Sequence, residues 1–80
     1  MTRQEVFEKL NAIFWDEFDD ESIRVTEATT ANDIEDWDSL THISLIAAIE
    51  DEFGMKFIMG EVTGMKNVGE MADVILSRIC

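Results

Sequence analysis

The sequence has no proline, four glycines and one cysteine, Cys80, at its last position. A single thiol excludes a disulfide framework, a cysteine-held metal cluster and a redox pair. With no proline, no Gly/Ser-rich linker and no repeat, nothing marks an internal boundary, so residues 1–80 read as one domain. Basic residues are scarce: six Lys and Arg stand against eighteen Asp and Glu, for a net charge of −12. That field repels nucleic acid phosphates and anionic lipid alike and leaves basic protein surfaces as the natural partners. The longest near-apolar run, Ile43 to Ile49, is far too short to span a bilayer, and the opening MTRQEVFEKL is charged throughout and lacks an apolar signal core. These absences predict a soluble cytoplasmic protein. A chain of this length buries only about 60% of its unfolded surface, which argues against a large enclosed active site.

What is present is helical patterning. Hydrophobic residues make up 46% of the chain, enough for a folded core despite the charge. Thr2-Arg3-Gln4-Glu5 is a capping box that starts a helix at about residue 3, and Val6, Phe7, Leu10, Ile13, Phe14 and Phe18 recur at helical spacing as its core-facing stripe. From Asp19 to Asp38 the pattern disappears into β-branched and turn chemistry. A connection of that length points to function, with Ile23, Val25 and Ile34 as its anchors. A second helix runs from about Ser39 to Phe53, started by Asp38 or Ser39 and ended by Gly54. Ile43, Leu45, Ile46, Ala47, Ala48 and Ile49 leave only Ser44 polar along its middle, so it is expected to be covered on nearly every side. Gly60 to Met65 gives one weak helical turn, and Asn67-Val68-Gly69-Glu70 caps a last helix with Met71, Ala72, Ile75 and Ile79 on one face. Met55, Met59, Met65 and Met71 read as gap-filling core. The fold class is all-α: three main helices and one short one in a small antiparallel-type bundle, with a long first loop.

The segment Asp36-Trp37-Asp38-Ser39-Leu40, where the loop meets the second helix, resembles the acyl carrier protein family, whose hallmark is an Asp-Ser-Leu triplet at the start of that helix. The likeness extends over essentially the whole chain, including Glu50-Asp51-Glu52-Phe53 and Asn67-Val68-Gly69-Glu70. It implies that Ser39 is the attachment point for 4′-phosphopantetheine from coenzyme A, with Asp38 and Leu40 beside it. It also implies that cargo rides on the thiol of the arm as a thioester, so that Cys80 is not needed. The expected partners are a phosphopantetheinyl transferase and acyl ligases, synthases or transferases with basic docking surfaces; the carrier itself is a monomer and not an enzyme. A phosphodiester on Ser39 would sit at the positive end of the helix dipole, favoured by roughly 0.3–1 kcal/mol.

Alternatives stay open at this stage. Ser39 can be a plain capping residue, although Asp38 can already supply the capping oxygen. Trp37 stands where the family usually has Gly; with Asp38 as the cap, Trp37 and His42 occupy the two positions of a hydrophobic staple, and a ring-on-ring contact is expected. His42 reads as a packing or surface residue rather than a base, since it stands alone and no nucleophile pairs with it. Glu35, Asp36, Asp38, Glu50, Asp51 and Glu52 form the expected docking surface, while Thr41 and Ser44 stand where many fatty-acid carriers are acidic, pointing to a specialised pathway. Ile43, Ala47 and Met65 are expected beside the arm, lining a channel for the acyl chain or meeting a partner enzyme. Three competing readings remain: an aminoacyl or peptidyl carrier, an unmodified acidic interaction domain, and a calcium module from Asp16 to Glu21. The last lacks the ligand spacing and central Gly of such loops.

Overall fold

The computed structural model describes residues 2–79, apart from the side chains of Met59 and Thr63, so the expectations for Cys80 and for the Met59 side chain lie outside the described residues. Four helices follow in order: α1 (Arg3–Phe18), α2 (Ser39–Phe53), α3 (Met59–Gly64) and α4 (Val68–Ile79), with a 3-10 turn at Ala31–Asp33 in the long loop. None of them is long and apolar enough to cross a membrane.

The helix ends follow the local chemistry. Thr2 Oγ1 accepts the Glu5 amide, and the Glu5 carboxylate accepts the Thr2 amide at 2.9 Å, which completes the predicted box. Gly54 closes α2 at φ 63°, the left-handed region that a Cβ disfavours. Asn67 Oδ1 accepts the Glu70 amide to start α4, but the Glu70 carboxylate reaches past the cap to the Lys66 amide.

The core joins Val6, Leu10 and Phe14 of α1 to Leu45, Ile46 and Ile49 of α2 and to Val68, Met71, Ala72 and Ile75 of α4. Phe7, Ile13 and Phe18 complete the α1 stripe as half-buried neighbours. Among the methionines, Met55 and Met71 are buried, whereas Met65 is half-buried.

The loop from 19 to 38 is fastened on both sides. Val25 is buried and its amide donates to Asn11 Oδ1 of α1 at 2.7 Å, while Ile23 and Ile34 pack half-buried against the core. Across the bundle, the amides of Val68 and Gly69 donate to the carbonyls of Thr29 and Glu27, at 2.8 and 3.1 Å. Arg3 adds a third tie, pairing with Glu27 and Asp73 and donating to the Gly69 carbonyl. The loop therefore supplies acceptors for two of the amides that open α4, which a helix start otherwise leaves unpaired.

One expectation is overturned. α2 is not covered on nearly every side: Leu40 is 77% exposed and Ile43 66% exposed, and Ala47 is exposed with them. The reason is geometric. α1 and α4 bury the Leu45, Ile46 and Ile49 side, while α3, only six residues long, is too short to roof the opposite face.

Candidate functional site

Ser39 is the first residue of α2, and the structure settles what caps that helix. Asp38 Oδ1 accepts the amides of both Leu40 and Thr41 at 3.0 Å. Thr41 Oγ1 returns the favour, accepting the Asp38 amide at 2.7 Å and donating to the Asp36 carbonyl at 2.9 Å. The amide of Thr41 is the main cause holding the Asp38 carboxyl below the ordinary carboxylate range, with the Leu40 amide adding to it. Because Asp38 and Thr41 complete the cap between them, the exposed Ser39 hydroxyl is left with no structural task. Asp38 also brings a carboxylate to the positive end of the helix, so a phosphodiester on Ser39 would share that end with an anion already there. The dipole benefit expected for it is correspondingly reduced.

From Ser39 a groove of about 850 Å³ runs between α2 and α3. It brings together the predicted Trp37, Asp38, Ser39, Ile43, Ala47, Glu50 and Met65; Leu40 is not among its walls and points to solvent. Sequence reasoning missed Phe57 and Val62 on the α3 side, whose apolar character was visible but whose placement depends on how the short α2–α3 loop folds. Glu50 fixes that loop. Its carboxylate accepts the Phe57 amide at 2.8 Å and lies 4.0 Å from Lys56, with its side chain only 18% exposed. Arg78 of α4 holds α3 from behind, donating to the Lys56 carbonyl at 2.7 Å and pairing with Glu61. The Glu61 carboxyl is held below its ordinary range first by the Ile58 amide and then by Arg78.

Trp37 is a core residue. Its ring meets Phe14 edge to face at 5.2 Å and Phe18 at 6.4 Å. The expected ring-on-ring contact with His42 is present, the centroids 5.8 Å apart and the planes 30° apart, and it is joined by a hydrogen bond in which Trp37 Nε1–H donates to His42 Nδ1 at 3.0 Å. His42 Nε2 lies 3.3 Å from the carbonyl of Val62 on α3, a contact that local spacing could not foretell. Among the described residues, no group of three or more His, Cys, Asp or Glu side chains could hold a metal ion.

An exposed hydroxyl with no partnered base among the described residues, at the mouth of an apolar groove, suits a residue that other enzymes modify better than a nucleophile acting alone. Comparison with known proteins agrees. No family model matches the chain. The acyl carrier protein of Thermosynechococcus vestitus is 36% identical over 81 residues, covering 99% of this chain and 98% of that one. That of Lactobacillus acidophilus is 31% identical, covering 98% of each, and that of Saccharopolyspora erythraea is 27% identical, covering 99% of this chain and 83% of its own. The solution structure of a holo acyl carrier protein from Geobacter metallireducens superposes with a TM-score of 0.86 at 44% identity, over 91% of this chain and 84% of that one.

Proposed function

Since the chain belongs to the acyl carrier protein family, and is therefore a carrier rather than an enzyme, we propose that Ser39 is the residue that receives its phosphopantetheine arm. The observation that carries this reading is the exposed Ser39 hydroxyl, relieved of capping duty by Asp38 and Thr41, at the mouth of an apolar groove. When bound, the arm supplies a thiol on which an acyl group is held as a thioester. Inside a partner transferase Ser39 Oγ would attack the pantetheine-side phosphorus of the coenzyme A pyrophosphate, the P–O–P bond breaking so that the nucleotide bisphosphate leaves, while the transferase takes the hydroxyl proton with a base that the described residues do not place beside Ser39. Asp38 and Thr41 hold the first turn of α2 in place around the modified residue. Ile43, Ala47 and Met65, on the groove walls, meet the cargo or the partner, and their apolar character favours an acyl over an aminoacyl cargo.

Partner enzymes reach the site over two kinds of surface. Glu35, Asp36, Asp51 and Glu52 are exposed and steer basic partners, whereas Glu50 spends its carboxylate on the Phe57 amide. Leu40 and Ile43 supply exposed apolar contact beside Ser39. Thr41 and Ser44 leave this part of α2 without the charges common in housekeeping carriers, which supports service in a specialised pathway.

The deciding experiment is the intact mass after incubation with coenzyme A and a broad-specificity phosphopantetheinyl transferase. The wild type is expected to gain one arm and Ser39→Ala none. A wild type that stays bare while a control carrier is loaded refutes the assignment.

A further inference from the structure

The trio of Trp37, His42 and Val62 ties together the loop before α2, α2 itself and α3, at the Ser39 end of the groove. A carbonyl has no hydrogen to give, so the nitrogen facing Val62 at 3.3 Å, Nε2, carries the proton. An indole N–H can only donate, so the nitrogen facing Trp37 at 3.0 Å, Nδ1, is bare. Both contacts hold together for one form of the ring alone, the neutral Nε2–H tautomer. A second proton sets N–H against N–H at Trp37, whose ring is packed on Phe14 and Phe18 and is only 9% exposed, so that water cannot readily replace the lost acceptor.

We propose that His42 is the positioning residue of the groove. As the neutral tautomer it clasps the loop before α2 to α3 and holds the two walls together over the cargo; protonation removes the hydrogen bond on the loop side, leaving the ring contact with Trp37 alone there, and exposes what the groove contains. The part concerning cargo rests on the carrier reading above, while the clasp itself does not.

The ionisable neighbours are accounted for. Asp38 on the α2 cap is bound to the Leu40 and Thr41 amides, and Glu50 to the Phe57 amide. On α3, Glu61 is paired with Arg78 of α4, and Lys66, in the α3–α4 connection, lines the groove with its side chain exposed. From α1 the contacts to the trio are the rings of Phe14 and Phe18, and α4 adds Met71 to the groove wall. His42 is thus the groove group whose two ring nitrogens bridge the loop before α2 and α3.

Two measurements on the whole chain test this. In unloaded protein, NMR follows the Trp37 indole N–H and the single histidine ring from about pH 8 to about pH 5, the interval in which imidazoles change charge. The indole signal is expected to move with the same midpoint as the ring. It should stay still in His42→Gln, whose amide keeps an acceptor for Trp37 and a donor for Val62. An indole signal indifferent to the charge on the wild-type ring overturns the proposal, whether or not the variant folds. In octanoyl-loaded protein, hydroxylamine cleavage of the thioester is compared between wild type and His42→Gln at each pH, so that the reagent's own pH dependence cancels. The wild-type to variant ratio is expected to rise severalfold on acidification, and a flat ratio overturns the gating. A chain that refuses the arm altogether refutes the carrier reading and leaves the indole titration to decide the clasp.

Discussion

Gly69 provides the sharpest test of how the long loop is held. It lies in the first turn of α4, where its amide donates to the Glu27 carbonyl at 3.1 Å. A Cβ at this position would sit 2.8 Å from that same carbonyl oxygen, 3.1 Å from Glu27 Cβ and 3.2 Å from Asn67 Oδ1. The nearest obstacle is backbone, so Gly69→Ala must push the loop away. The push strains the paired bonds from Val68 and Gly69 to Thr29 and Glu27, which contribute about 0.5–1.5 kcal/mol each. Alanine's helix propensity returns about 1 kcal/mol, and overpacking adds about 1–3 kcal/mol of cost. The balance is a loss of about 3 kcal/mol, or a melting temperature lower by about 12–24 °C for a domain of this size. Gly60→Ala is the matched control, because a Cβ there meets nothing within 4 Å. The control should be neutral or stabilised by up to about 1 kcal/mol. Urea unfolding followed by far-UV circular dichroism reads both. A Gly69→Ala protein as stable as wild type would show that the loop does not bear on α4 as described.

Two further outcomes are expected. Trp37→Gly, which restores the residue usual in the family, should cost about 3–5 kcal/mol in urea unfolding, because it empties the space against Phe14 and Phe18; a loss under about 1 kcal/mol would make the indole dispensable. Asp38 is held below its unfolded value in the fold, so its contribution is present above the ordinary value of 3.8 and is lost as pH falls through the lower folded value. Asp38→Asn keeps a capping oxygen without the charge, so its stability should decline less steeply than that of wild type below about pH 4, and parallel curves would contradict the assignment.

The helices and their caps were legible because local spacing encodes them: Thr2 with Glu5, Asp38 before Ser39, and Gly54 after Phe53 needed no knowledge of the third dimension. The place of Ser39 at the first position of α2 was legible for the same reason, as were Ile43 and Ala47, which follow it along the groove at helical steps; its role as the attachment point comes from the family resemblance and stays a proposal. What escaped notice depends on contacts between distant segments. An all-apolar middle promised burial of α2, but exposure is decided by the reach of α3, and six residues do not cover that face. Glu50 looks like a surface charge by composition, and its turn inward to Phe57 follows from how the α2–α3 loop folds back. The tie from His42 to Val62 spans twenty residues and has no periodic signature. Gly69 resembled an ordinary residue of a helix start, whereas its lack of a side chain is what admits the Glu27 carbonyl.

The division of labour at the start of α2 has a consequence for the working cycle. Under the reading proposed above, fitting the arm changes the Ser39 oxygen once, and charging and discharging then change only the thiol at the far end. Had that oxygen been the one stapling the first turn, fitting the arm would have loosened the helix. With Asp38 and Thr41 holding the turn, bare and armed forms would start α2 from the same footing.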